Sequence, residues 1–307
     1  MKILVTGGAG FIGSHIADEL ISLGHEVVVI DNLETGNLNN LNPEAKFYLT
    51  DIRAKELEKI FAIEKFDVIY HQAAQMDVRR SVRDPLFDAD VNVKGTLNLL
   101  QNAVRFGIKR FIFASTGGAI YGEQEVFPCD ETHPTKPVSP YGITKLSVEK
   151  YLFFYAGEYD LTYTIFRYAN VYGPRQNPHG EAGVVAIFAQ KLLNREQPVI
   201  NGDGLQTRDY VFVKDVVKAN IAGLTAPANE IFNIGTGVET DVNTIFNLIN
   251  QAAGSGAEEK HGSAKPGEQK RSVISYEKAK KVLGWEPSLT IKQGIEETVL
   301  YFKSNSK

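Results

Sequence analysis

The sequence predicts an α/β protein: a doubly wound parallel sheet of Rossmann type, followed by a smaller C-terminal α/β unit that covers a substrate. Three observations carry that expectation. Short apolar runs alternate with segments of helical periodicity from residue 3 to about residue 172, the pattern of βαβ units. A glycine-rich turn, Gly7-Gly-Ala-Gly-Phe-Ile-Gly13, separates the first run from the first helix. After Tyr172 the pattern loosens, with Gly-Pro-Arg, Asn-Pro-His-Gly and Gly-Asp-Gly loops between shorter elements.

In chain order, residues 3–6 read as a buried strand, residues 7–10 as a turn, and an amphipathic helix runs to about Leu23. A second strand, 25–30, ends at Asp31. Further strands are expected at 46–49, 68–70, 110–114 and 163–167. Helical periodicity marks 92–106 (Val93, Leu97, Leu100, Val104) and 141–157. We expect a dinucleotide-binding domain over 1–172, joined by parts of 209–240, and a smaller substrate domain over 173–307. The polar, glycine-rich run 255–267 reads as a loop inside that unit.

The 307 residues suffice for one large or two fused domains with an ample core. A net charge of −4 and a pI near 5.9 argue against nucleic acid or an anionic membrane as the main partner. No apolar run has the length of a membrane span, and the first strand starts too near Met1 for a secretion signal. A single cysteine, Cys129, excludes intramolecular disulfides and points to a reducing cytoplasm; its polar, proline-containing surroundings give it a structural role. The six histidines lack ligand spacing, so no metal is expected.

Gly7, Gly10 and Gly13 lie between a strand and a helix opened by Phe11 and Ile12, the context of a dinucleotide loop. Such glycines let backbone and helix N-terminus approach a pyrophosphate. Asp31, ending the second strand, suits the adenosine ribose hydroxyls and would repel a 2′-phosphate. Neither Ile30 nor Asn32 supplies a compensating cation, which selects NAD over NADP. Asp51-Ile52 follows the third strand; Asp51 either addresses the adenine or caps a helix.

Tyr141 and Lys145 stand four apart on a helical segment and so share a face. An ammonium beside a phenol lowers its pKa, fitting Tyr141 for acid/base work. The spacing recurs at Tyr210/Lys214 and Tyr276/Lys280. What distinguishes the first pair is its context: the dinucleotide loop, and the hydroxyls of Ser115 and Thr116 at the end of a buried strand.

With these residues in place, the chain resembles the extended short-chain dehydrogenase/reductases, and within them the UDP-glucose 4-epimerases. The resemblance spans essentially the whole length. It rests on Thr6 to Gly13, Asp31-Asn-Leu33, His71-Gln-Ala-Ala74, Asn92-x-x-Gly-Thr96, Tyr141-xxx-Lys145, Arg167-Tyr-Ala-Asn-Val-Tyr-Gly173, Gly202-Asp-Gly204, Arg208-Asp-Tyr210, Asn233-Ile-Gly235, Pro266-Gly267 and Leu283-Gly-Trp285. It implies that Asn32, Ile52, Ala73, Ala74 and Asn92 border NAD together with Lys145. The implied reaction is redox-neutral: Tyr141 takes the proton of the sugar's 4-hydroxyl as hydride leaves C4 for the nicotinamide. The 4-keto sugar rotates, and hydride returns to its other face. Lys145 would hold the nicotinamide ribose, and the charged ring would lower the Tyr141 pKa further.

The resemblance also allots substrate residues. Dehydratases of the superfamily place Asp-Glu after the active-site threonine, whereas this chain has Gly117-Gly118 there, without an acid for elimination. Many 4-epimerases carry a serine or threonine at the place of Gly117, so Thr116 or Ser115 must supply the relay hydroxyl. Arg208 matches the arginine that grips the diphosphate, and Lys265 stands where a second arginine is usual, with Arg271 able to share that task. Asn170 matches a diphosphate and sugar contact, and 180–185 (Gly183, Val184, Val185 among them) offers backbone groups to the uracil. Ser272 falls where a bulky residue would exclude a C2 N-acetyl group, so N-acetylhexosamine substrates are expected besides UDP-glucose and UDP-galactose. Arg175 keeps a uronic acid sugar open. A dehydratase or a noncatalytic NAD-binding regulator stands as an alternative. The family's usual homodimer would pack helices 92–106 and 141–157 of each subunit into a bundle.

Overall fold

The computed structural model describes residues 1–179, 183–264 and 269–305. Its first half runs β1 (Lys2–Thr6), α1 (Phe11–Ser22), β2 (Glu26–Asp31), β3 (Lys46–Leu49), α2 (Leu57–Glu64), β4 (Val68–His71), α3 (Val78–Arg83), α4 (Pro85–Ala89), α5 (Gly95–Arg105) and β5 (Arg110–Thr116). Then follow α6 (Gly117–Ile120), α7 (Pro140–Glu158), β6 (Thr162–Tyr168), β7 (Asn170–Tyr172), α8 (Val184–Leu193), β8 (Ile200–Asn201), β9 (Thr207–Phe212) and α9 (Val213–Ala222). The last elements are β10 (Glu230–Ile234), β11 (Glu239–Asp241), α10 (Val242–Ala253), β12 (His261–Gly262), α11 (Glu277–Leu283) and α12 (Ile291–Asn305).

The central sheet has seven strands in the order β10-β6-β5-β4-β1-β2-β3, with every pairing parallel. Strand order reverses between β1 and β4, so the ligand crevice of a doubly wound sheet opens at their carboxyl ends, beside Thr6 and His71. Strands covered on both faces read as continuous apolar runs, which is why Val27 to Ile30 are all buried. One face packs Ile16 and Leu20 of α1 against Val216 of α9 and Trp285; the other packs Phe61, Leu99, Leu100 and Leu152 from α2, α5 and α7. Burying each such side chain contributes about 1.5–3 kcal/mol. A third core joins β7, β9, α8, α10 and α12 through Tyr172, Phe188, Phe212, Phe246 and Ile295. There β9 pairs with β7 and β11, and β8 pairs with β12.

The differences from expectation have local causes. The stretch 92–106 is not one uniform helix: a wide π turn over Asp90–Lys94 precedes α5. The Asn92 carbonyl accepts from Thr96 Oγ1 at 2.6 Å, while its amide is tied to the Gln75 backbone. Such turns often mark functional segments. The short α4, missed in the sequence, starts at Pro85 behind Asp84, whose carboxylate accepts from Phe87 N. The run 255–267 contains the short strand β12.

Candidate active site

The dinucleotide loop is shaped by close backbone approach. Gly7 has φ +70°, and a Cβ there would stand 2.6 Å from Ala73 N; a Cβ on Gly13 would meet the Gly7 carbonyl oxygen at 2.3 Å. Gly10 N donates to that same oxygen at 3.0 Å. Gly10 is the N-cap of α1 and has no side-chain acceptor, so the first-turn N–H groups at Phe11 and Ile12 are left for a ligand. Asp31 is buried, accepting from Ala9 N at 3.0 Å and Leu33 N at 2.8 Å; burial raises its pKa and these two bonds lower it. A cradle closed to any side chain, a helix N-terminus and a carboxylate at the end of β2 fit a pyrophosphate and a ribose diol.

Around them, Asn32 Nδ2 donates to Asp51, whose carboxylate is gripped by Arg53 and held down at about 2. Asp51 caps no helix, since α2 starts at Leu57 behind Glu56. Ile52 is buried against Gly95. Ala73 N donates to Thr6 Oγ1, and Ala74 follows it past the end of β4. Asn92 is turned inward to hold Gln75.

Tyr141 and Lys145 share the first turns of α7, begun by the N-cap Ser139 and by Pro140. Lys145 Nζ donates to the Ala114 carbonyl at 2.8 Å and lies 5.9 Å from the Tyr141 ring centre. Burial brings Lys145 down to about 8, while Asp88 and Glu149 work to keep it charged. The Tyr141 phenol is pushed up by burial and by Asp88, contrary to the depression expected from the spacing. The protein's own charges therefore do not make Tyr141 acidic. The other two Tyr-xxx-Lys matches are incidental, with Lys214 paired to Glu297 and Lys280 to Glu286.

The two hydroxyls on β5 have different fates. Ser115 Oγ donates to Glu149 at 2.6 Å inside a buried network, where Arg167 clamps Glu149 and also donates to the Tyr121 hydroxyl. Thr116 Oγ1 caps α6, accepting from Ala119 N at 3.2 Å, which leaves its own proton to give. A Cβ on Gly118 would lie 3.7 Å from Asn170 Oδ1 and 4.0 Å from Thr116 Oγ1, so these groups face one space. At Gly117 a Cβ would meet Ile274 Cδ1 at 2.7 Å: the place of the usual serine is filled from the opposite segment.

On the substrate side, Arg208 lies on β9 and donates to its neighbour's carbonyl. Arg271 is held bidentately by Glu239 and stacks 3.7 Å from the Phe127 ring, so a diphosphate would have to compete for its fork. Arg175 pairs with Asp18. Ser272 is buried on the segment that also brings Ile274 to Gly117. Gly183 caps α8 and offers no side-chain acceptor to the first-turn N–H groups of Val184 and Val185. Lys265 and the first half of 180–185 lie outside the described residues.

Sequence reasoning missed Asp88, Thr144 and the role of His71. Asp88 and Asn92 are four apart, a spacing that signalled a shared face. His71 is buried between Thr6 Oγ1 (2.7 Å) and Thr96 Oγ1 (2.8 Å), and burial lowers it to about 3. Thr96 already donates to Asn92, so His71 donates through Nε2 and accepts at Nδ1. Cys129 is buried, its thiol pushed up to about 12, as befits a packing role.

A doubly wound sheet with this loop, and a Tyr-Lys pair set against a strand-end hydroxyl, defines a dinucleotide-dependent enzyme of the short-chain dehydrogenase/reductase class. The NAD dependent epimerase/dehydratase family profile matches residues 3–235, and the chain belongs to that family. It is 44% identical to the UDP-glucose 4-epimerase of Mycolicibacterium smegmatis, over 100% of both chains. Solved structures include the UDP-glucose 4-epimerase of Thermotoga maritima with UDP-glucose, at 51% identity, TM-score 0.97 and 99% of each chain. The enzyme of Thermus thermophilus with NAD is similar at 43% identity and TM-score 0.95, over 100% of each chain.

Proposed function

We propose that the chain is an NAD-dependent UDP-hexose 4-epimerase, an isomerase that interconverts UDP-glucose and UDP-galactose and also accepts the N-acetylhexosamine pair. The observation that carries this reading is the proton machinery: Tyr141 and Lys145 on one helix face, Lys145 bonded to Ala114 at the end of the strand that carries Thr116, and two glycines where a dehydratase needs acids. The likeness to UDP-glucose 4-epimerases over whole chains supports it.

Gly7, the α1 N-terminus and Asp31 would hold NAD, which when bound would supply a reversible hydride acceptor and a positive charge. Tyr141 takes the 4-hydroxyl proton and Thr116 relays it. Lys145, charged below about pH 8, would hold the nicotinamide ribose. Asn170 and Arg208 grip the diphosphate and let the sugar turn between half-reactions. The buried Ser272 leaves space at C2. Residues 1–172 with parts of 209–240 form the cofactor half, which fits β10 lying at the edge of the main sheet.

A homodimer through α5 and α7 fits the exposed apolar side chains Ile143, Tyr151, Phe153 and Phe154. Light scattering that gives a monomer at micromolar concentration contradicts it. No helix among the described residues is long and apolar enough to cross a membrane; a cytoplasmic setting fits the single buried thiol. NMR of the protein with a panel of UDP-sugars tests the activity. C4 epimers that equilibrate without net NADH support it; a 4-keto-6-deoxy product or no turnover overturns it.

A further inference from the structure

We propose that Asp88 is a positioning residue that fixes the first turn of the catalytic helix and sets the charge balance around Tyr141 and Lys145. Its carboxylate is fully buried at 0% exposure and outside the Tyr-Lys machinery itself. Oδ1 accepts from Gln75 Nε2 at 2.8 Å and Asn92 Nδ2 at 3.1 Å, and Oδ2 accepts from Thr144 Oγ1 at 2.7 Å. Thr144 Oγ1 also lies 3.0 Å from the Tyr141 carbonyl. One carboxylate thus ties α4, the π turn and the segment after β4 to the turn of α7 that carries Tyr141.

The charged neighbours make the electrostatic part specific. From α7 come Lys145 and Glu149; Glu149 is neutralised by Arg167 of β6. From β4 comes His71, held uncharged. Arg80 of α3 turns to Glu34, and Asp90 of the π turn to Arg53 and Lys94. Asp88 is left as the buried carboxylate without a cationic partner beside the pair, among the described residues. It opposes phenolate formation and favours the Lys145 ammonium. Removing its charge should therefore lower both proton affinities together.

The test is Asp88→Asn against Thr144→Val. The asparagine is accommodated, because Thr144 can turn its proton to the Tyr141 carbonyl and accept from the new amide. Asp88→Asn should shift both limbs of the kcat–pH profile down by about one unit. Tyrosinate absorbance, taken as a difference against Tyr141→Phe, should titrate lower by the same amount. Thr144→Val keeps the charge and should reduce kcat at every pH while leaving the limbs in place. Unshifted limbs in a folded Asp88→Asn, or shifted limbs in Thr144→Val, overturn the proposal, and the second holds even if Asp88→Asn fails to fold. The profile rests on the epimerase reading; the absorbance titration does not, so a wild type without turnover sinks that reading and leaves Asp88 testable.

Discussion

Lys145 Nζ donates to the Ala114 carbonyl at 2.8 Å and stands 5.9 Å from the centre of the Tyr141 ring. The carbonyl fixes the ammonium at the end of β5, one helical turn from the Tyr141 phenol. Burial makes that ammonium acidic, at about 8. Lys145 is charged below that pH and loses its proton above it, so kcat should fall as pH rises through about 8. Lys145→Met should lower kcat by about 10²–10⁴-fold and abolish this limb, read from kcat–pH profiles.

Ser115 and Thr116 should separate cleanly. Thr116→Ala removes the available hydroxyl and should cut kcat by about 10²-fold, while the lost α6 cap costs about 1 kcal/mol in unfolding. Ser115→Ala strips a donor from buried Glu149 and should cost about 1–3 kcal/mol in urea unfolding while leaving most of kcat. Comparing kcat and unfolding midpoints of the two variants checks this; the reverse pattern would move the relay to Ser115.

Ser272 is buried on the segment facing Gly117. Ser272→Tyr should abolish turnover of UDP-N-acetylglucosamine and spare UDP-glucose within about tenfold, because a bulky ring excludes the larger C2 substituent. Equal loss on both sugars, or on neither, would show that Ser272 is no gate.

Glu64 is a stability element remote from the site. Its buried carboxylate accepts from Lys2 at 2.7 Å, from Lys46 at 2.5 Å and from the Tyr48 hydroxyl, and is held at about 2 against an ordinary 4.5. A depressed folded pKa means stability that is present above about 4.5 and lost as pH falls through about 2. Glu64→Gln should therefore lose about 2–3 kcal/mol at neutral pH, and the gap to wild type should narrow at about pH 3 in urea melts.

The sheet was legible because parallel strands announce themselves as apolar runs, and the dinucleotide loop because only glycine tolerates its close contacts. Context, not spacing, singled out Tyr141 and Lys145 as the proposed proton pair. Three things were not. The pKa direction of Tyr141 depends on burial and on Asp88, which comes from a short helix hidden behind Pro85. The choice between Ser115 and Thr116 depends on Glu149, one turn beyond Lys145, which claims the serine. Arg271 read as a spare cation, whereas folding brings Glu239 from another strand to hold it.

In the proposed reaction C4 is inverted by hydride departure and return at the same carbon. Incubation with UDP-glucose carrying deuterium at C4 tests it most directly. Inversion by this route gives UDP-galactose that retains the deuterium at C4, with no uptake of solvent protons there. UDP-galactose with protium at C4, or no UDP-galactose at all, would contradict it.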